Sequence, residues 1–208
     1  MFAISTLGAF IVIVIGLFLI PCPAVLLVAT RTLQGGRRAG IVAGLGIATG
    51  DLIHTLFAAI GLSAILMTSA LAFQAVKFAG AAYLLYLGIR ALLEKPADPS
   101  LPRVEPKSGW RTYSEAILIE LLNPKTALFF LSFLPQFVHP ESGEPFLQFL
   151  VLGLLFVIMG VIYATMIAVS MRQLGKLVKR VPWMGRWSGK LVGAIYIGLG
   201  LKVAFQSR

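Results

Sequence analysis

Asp51 and His54 lie one helical turn apart within an apolar run, so on a helix they share a face. A carboxylate at membrane depth costs at least ~2.5 kcal/mol to insert, which directs Asp51 to the interior of a helix bundle, towards a partner or water. Desolvation disfavours the charged form, so Asp51 is a candidate proton carrier; the alternative is structural pairing. His54 alone reads more simply as a hydrogen-bonded core residue. Two further clusters interrupt apolar runs with proline, Pro21-Cys22-Pro23 and Asn123-Pro124-Lys125. Proline removes a backbone donor and clashes with the preceding turn, so each run should break there. Broken backbone at membrane depth persists only where protein or a water-filled cavity satisfies the freed carbonyls. Two matched breaks are what a binding site between repeats requires, and their half-helix ends can hold a charged substrate. Lys125 is at the right depth to partner Asp51. Glu120, four residues before Pro124, can cap or hydrogen-bond its neighbourhood, or carry the proton instead. Tyr83, with Tyr163 and Tyr196, could line a cavity, although one tyrosine per helix is also ordinary packing.

The elements that must position these groups are membrane helices. Hydrophobic residues make up 58% of the 208, and charged ones only 12%, against about 25% in an ordinary soluble domain. Hydropathy predicts helices over 4–30, 39–63, 69–92, 112–137, 146–171 and 188–206. The net charge of +10 might suggest nucleic acid, but the Lys and Arg residues sit between helices. Three lie after the first (Arg31, Arg37, Arg38), five after the third and six after the fifth, while the stretches near 64–68 and 138–145 hold none. That bias places the three basic loops in the cytoplasm and both termini outside. Trp110, Trp183 and Trp187 fall on the same side, as interfacial anchors do.

The segment around 94–111 carries Pro96, Pro99, Pro102 and Pro106 among mixed charges and reads as an exposed cytoplasmic linker. It divides one transporter domain, 1–208, into halves of about 1–93 and 112–208. Each half has an odd number of spans, so the second enters the membrane with inverted topology. Gly80-Ala81-Ala82-Tyr83 in the third helix echoes Gly193-Ala194-Ile195-Tyr196 in the sixth. Small residues at every fourth position, Gly36, Gly40, Gly44 and Ala48, and again Gly185, Gly189 and Gly193, suit close helix packing in lipid. Lys77 and Lys202 are placed to snorkel to the outer interface.

No Gly-rich loop ends in Gly-Lys-Ser/Thr, so no ATP-driven pump is encoded in this chain. One cysteine cannot be both attacking and resolving thiol, and no Cys/His cluster offers a metal site, so no cofactor is expected. The first twenty residues lack a basic start and are not expected to be a cleaved signal peptide.

The chain resembles the LysE family, the lysine and homoserine/threonine exporter group of bacterial amino-acid efflux permeases. The likeness runs through Pro21-Cys22-Pro23, Gly35-Gly36-Arg37-Arg38-Ala39-Gly40, Gly46 to Asp51, Gly80-Ala81-Ala82-Tyr83-Leu84, Tyr86-Leu87-Gly88 and Asn123-Pro124-Lys125 to Phe133-Leu134-Pro135-Gln136-Phe137. Cys22 departs from it, since the family pattern usually has Gly between the prolines. The resemblance implies export of an amino acid or similar small zwitterion from the cytoplasm, with proton antiport and no enzymatic step. An ion channel or metal-ion resistance exporter on the same scaffold is the alternative. The expected fold is an all-α membrane protein of six spans in two inverted three-helix repeats, with helices one and four interrupted by proline. The expected setting is the bacterial inner membrane. Partners are the substrate, protons and the bilayer, not nucleic acid; a homodimer is compatible with this reading.

Overall fold

A computed structural model of the protein describes residues 2–19, 22–68 and 108–178, with scattered positions between 71 and 93 and between 194 and 201. Among these residues there are helices and no strands. Helix α1 (Ile4–Phe18) is followed by α2 (Pro23–Phe57), a π-helical turn at Ala58–Leu62 and α3 (Ser63–Thr68). Next come α4 (Gly109–Leu121), α5 (Pro124–Leu128), a second π-helical turn at Phe129–Phe133 and a 3-10 turn at Leu134–Phe137. A short 3-10 turn, Pro140–Ser142, leads into α6 (Pro145–Val178). By length and apolar composition the runs Pro23–Ile65 and Pro145–Met171 can each cross a bilayer, and the bent pair Gly109–Leu121 with Pro124–Phe137 makes a third. The expected third and sixth spans, the linker over 94–107, Lys77, Trp183, Trp187, Tyr196, Lys202 and the Gly185 stripe lie outside the described residues.

Helix α2 is two arms. Gly36 has φ 75° and ψ −175°, a left-handed-side conformation that glycine adopts freely and other residues rarely do. In a straight helix Thr32 and Gly40 would be about 12 Å apart, at 1.5 Å per residue. Instead a Cβ added at Gly40 would collide with the Thr32 side chain, so the chain doubles back at Gly36. The loop expected after the first span is therefore one residue long, and Gly36 is its corner rather than a packing contact. The rest of that small-residue stripe does pack. Cβ atoms added at Gly40 and Gly44 would lie 3.0 Å from Ala168 Cβ and 2.9 Å from Ala164 Cβ, both on α6.

A second small-residue face on the same arm seats α4. A Cβ at Gly46 would stand 2.5 Å from the Tyr113 carbonyl oxygen, and one at Gly50 would stand 2.7 Å from Glu120 Cβ. These pairings make the second arm of α2 parallel to α4 and antiparallel to α6. Along α1, Phe10 meets Phe137 at 5.3 Å between ring centroids while Leu17 meets Lys125, so α1 runs against the Pro124–Phe137 segment. Phe10, Phe129, Phe133, Phe149 and Phe156 form the main apolar core.

Arg31, counted among the loop cations, is in fact 2% exposed within the first arm of α2. It is held there by an ion pair to Glu115 of α4 at 2.7 Å. On the other side, Gln148 ties down the turn before α6: it accepts from the His139 N–H at 2.9 Å and donates to the His139 and Gly143 carbonyls at 2.8 and 2.9 Å.

Candidate functional site

Both breaks use the same device. Helix α1 stops at Phe18, and α2 starts with Pro23 in its first turn after an extended Cys22 (φ −140°, ψ 164°). Helix α4 stops at Leu121, the axis bends by 45°, and α5 starts with Pro124 after an extended Asn123. Proline suits that position because a first-turn N–H has no intrahelical partner to lose. Pro21 lies outside the described residues, as does Tyr83; Pro23 and Pro124 flank the site rather than fill it.

The breaks also touch. Lys125 Nζ, on the second, donates to the Leu17 carbonyl at the end of α1, 2.9 Å away. A cation is well placed there, because the last carbonyls of a helix lack partners and its C-terminal end is negative. Asn123 organises its own break. Its side-chain oxygen accepts from the Lys125 N–H at 3.1 Å, and its Nδ2 stands 3.3 Å from each Glu120 carboxyl oxygen. Glu120 is thus tied to the break, as its spacing from Pro124 suggested. His54 Nε2 lies 3.2 Å from the Glu120 carbonyl oxygen, and its ring stacks on Phe130 at 5.7 Å. The simple reading of His54 as a hydrogen-bonded residue fits this geometry.

Asp51 stands at the centre. It is 2% exposed, and among the described residues its Oδ1 has no hydrogen-bond partner. Glu120 and Lys125 line the same cavity and are the charged neighbours of Asp51. Space beside Asp51 exists because residue 160 is glycine: a Cβ there would be 3.4 Å from Oδ2 and 3.7 Å from the Phe18 ring.

That space belongs to a cavity reached by both breaks. Cys22, Ala24, Val25 and Phe18 line it from the first, Asn123, Lys125 and Thr126 from the second, with Asp51, Glu120 and Tyr163. The cavity volume is about 40 Å³. In this conformation it is a narrow, mostly apolar cleft. Cys22, Phe18, Thr126 and Gly160 were not among the site residues read from sequence, and Tyr163 was mentioned only as one of three tyrosines. Phe18 and Tyr163 stack at 5.4 Å with planes 12° apart, forming one wall. Their only signal is aromatic character, which helix packing uses equally. Among the described residues no group of three His, Cys, Asp or Glu side chains could hold a metal.

Asn123→Ala tests how far the second break depends on this network. It removes a helix cap, typically worth about 1 kcal/mol, together with the Glu120 tether. The thermal midpoint of the detergent-solubilised protein should fall by several degrees; an unchanged midpoint would mean that the cap contributes nothing to stability.

The chain matches the family described as LysE type translocator over residues 15–207. It is 31% identical to an uncharacterized membrane protein of Pseudomonas aeruginosa, across 97% of this chain and 95% of that one. It is 29% identical to the uncharacterized membrane protein YrhP of Bacillus subtilis, across 97% and 99%. A homoserine/homoserine lactone efflux protein of Salmonella typhimurium is also 29% identical, over 84% of each chain. No solved structure matches. With nearly its whole length inside the family match, and with membrane proteins as its relatives, this helical membrane protein belongs to the LysE type translocator family.

Proposed function

We propose that the protein exports an amino acid or similar small zwitterion from the bacterial cytoplasm, exchanging it for protons. The observation that carries this reading is the buried, unpartnered Oδ1 of Asp51 in a cavity where two broken helices meet. An ionised Asp51 attracts a substrate ammonium; a protonated Asp51 does not, and is cheaper to enclose in a closed cavity. Proton and substrate therefore compete for one carboxyl, so each can drive the other out, and a cycle that carries them in opposite directions follows. Glu120 beside it offers the proton a second acceptor. The Salmonella relative is named for homoserine and homoserine lactone efflux, which supports a substrate of that size.

The architecture proposed for this cycle is two inverted halves of a single domain, with the basic loops in the cytoplasm. The opposed directions of α1 and the α4–α5 run, and of α2's second arm and α6, support it, since inverted halves require both oppositions. Inverted membrane vesicles containing the protein should accumulate labelled small amino acids when the lumen is acidified, and lose that accumulation when the gradient is collapsed. If no amino acid in a broad panel moves while an ion current does, the channel reading replaces this one.

A further inference from the structure

A zwitterion whose ammonium sits at Asp51 leaves a carboxylate to be held, and the first break supplies the group for it. Because α2 begins at Pro23, its free first-turn donors are the backbone N–H groups of Ala24 and Val25; Leu26 N–H already donates to the Cys22 carbonyl at 3.0 Å. Cys22 precedes them and makes no side-chain capping bond. At the second break the corresponding position is closed, since the Asn123 side chain takes the Lys125 N–H at 3.1 Å. So one half-helix carries its own cap and the other is open. Cys22, Ala24 and Val25 line the same cavity as Asp51. Asp51, which lines that cavity, is 2% exposed and its Oδ1 has no hydrogen-bond partner among the described residues, a second and separate sign of a polar ligand there. Unpaired N–H groups at the positive end of a helix arm that continues to Gly36 bind anions.

We infer that the α2 N-terminus is the carboxylate subsite, so that the substrates are α-amino acids with a free carboxylate as well as a free ammonium, and not their amides, esters or lactones. This rests on the exporter reading above and adds to it which chemical end of the substrate meets which break. Lys125, the cation of the cavity, is engaged by the Leu17 carbonyl and serves to join the two breaks.

The full-length protein in proteoliposomes, with labelled L-alanine, L-serine, L-threonine and L-homoserine as probes, tests this. For each probe that moves, its amide and methyl ester should compete at least about tenfold less well than the unlabelled amino acid, the scale of one or two lost charge-assisted hydrogen bonds. The 2-hydroxy acid lacking the ammonium should compete as poorly. Cys22→Ser adds a side-chain acceptor at the N-cap position that takes a first-turn N–H from the substrate. It should raise KM about five- to tenfold with a smaller change in Vmax, as expected when one hydrogen bond is pre-empted. If neither these probes nor any other amino acid in a broad panel is transported, the exporter reading itself fails. If probes move but amides compete equally, the carboxylate subsite is wrong while export stands. A well-assembled Cys22→Ser protein with unchanged KM also overturns it; should that variant fail to assemble, the analogue competition decides.

Discussion

Replacing Asp51 with asparagine is expected to abolish proton-driven accumulation of substrate in inverted vesicles while leaving a folded protein. Asparagine keeps the size of the side chain and its place beside Gly160, but it has no titrating proton and no charge to offer an ammonium. Folding should survive because Asp51 and Glu120 are neighbouring carboxyls, and removing one relieves a like-charge contact rather than orphaning a cation. Lys125 keeps its Leu17 carbonyl. Gradient-dependent accumulation should fall at least tenfold, roughly the effect of removing an interaction of 1.4 kcal/mol or more. Membrane expression and thermal midpoint should stay near wild type. Some downhill exchange can remain, since the cavity is intact. His54→Gln should do much less, because that ring bonds the Glu120 carbonyl and not the cavity groups. Wild-type dependence on the gradient in the asparagine variant would move the proton role to Glu120.

The largest effect on assembly is expected from Gly46→Leu. A Cβ at this position would lie 2.5 Å from the Tyr113 carbonyl oxygen and 2.6 Å from Ala116 Cβ, so it meets backbone that cannot rotate aside. The second arm of α2 and α4 would have to separate, stretching the 2.8 Å hydrogen bond between Thr49 and the Tyr113 hydroxyl and the His54–Glu120 contact one to two turns further along. Overpacking a tight contact costs about 1–3 kcal/mol, and more when backbone must move. In lipid, where close approach of small residues drives association, there is little to offset it. Gly61→Ala serves as the comparison, because among the described residues nothing lies within 4 Å of an added Cβ there. Monodisperse protein after detergent extraction should be nearly absent for Gly46→Leu and near wild type for Gly61→Ala; equal recovery would show that this helix pair is not so closely packed.

Much of the site was legible because proline and charge obey rules that need no partner. Pro23 and Pro124 had to start helices wherever they fell, and Asp51 had to turn inward, whatever surrounded it. What was not legible depends on rotation between helices. Gly36, Gly40 and Gly44 repeat at every fourth position, yet the first is a corner and the others are contacts, which only the backbone torsion distinguishes. Gly46 and Gly50 form a second face, towards α4, that the first stripe hid. The π-helical turns at Ala58–Leu62 and Phe129–Phe133 carry no residue signature, since their apolar sequence fits an ordinary helix equally well. Arg31 looked like a loop cation because its half-buried partner, Glu115, is 84 residues away. Cys22 appeared as a departure from a family pattern, and its place in the cavity opposite no cap of its own came only with the structure.

The corner at Gly36 leaves no slack between the arms of α2. Thr32 packs against Gly40 across it, while the Arg31–Glu115 ion pair ties the first arm to α4. The start of α2 and Asp51 both belong to this folded-back helix, whereas Glu120, Asn123 and Lys125 belong to the bent α4–α5 run. The close contacts at Gly46 and Gly50 and the ion pair from the first arm join α2 to α4 along most of their shared length, so Asp51 and Glu120 face each other across a close-packed seam rather than a hinge.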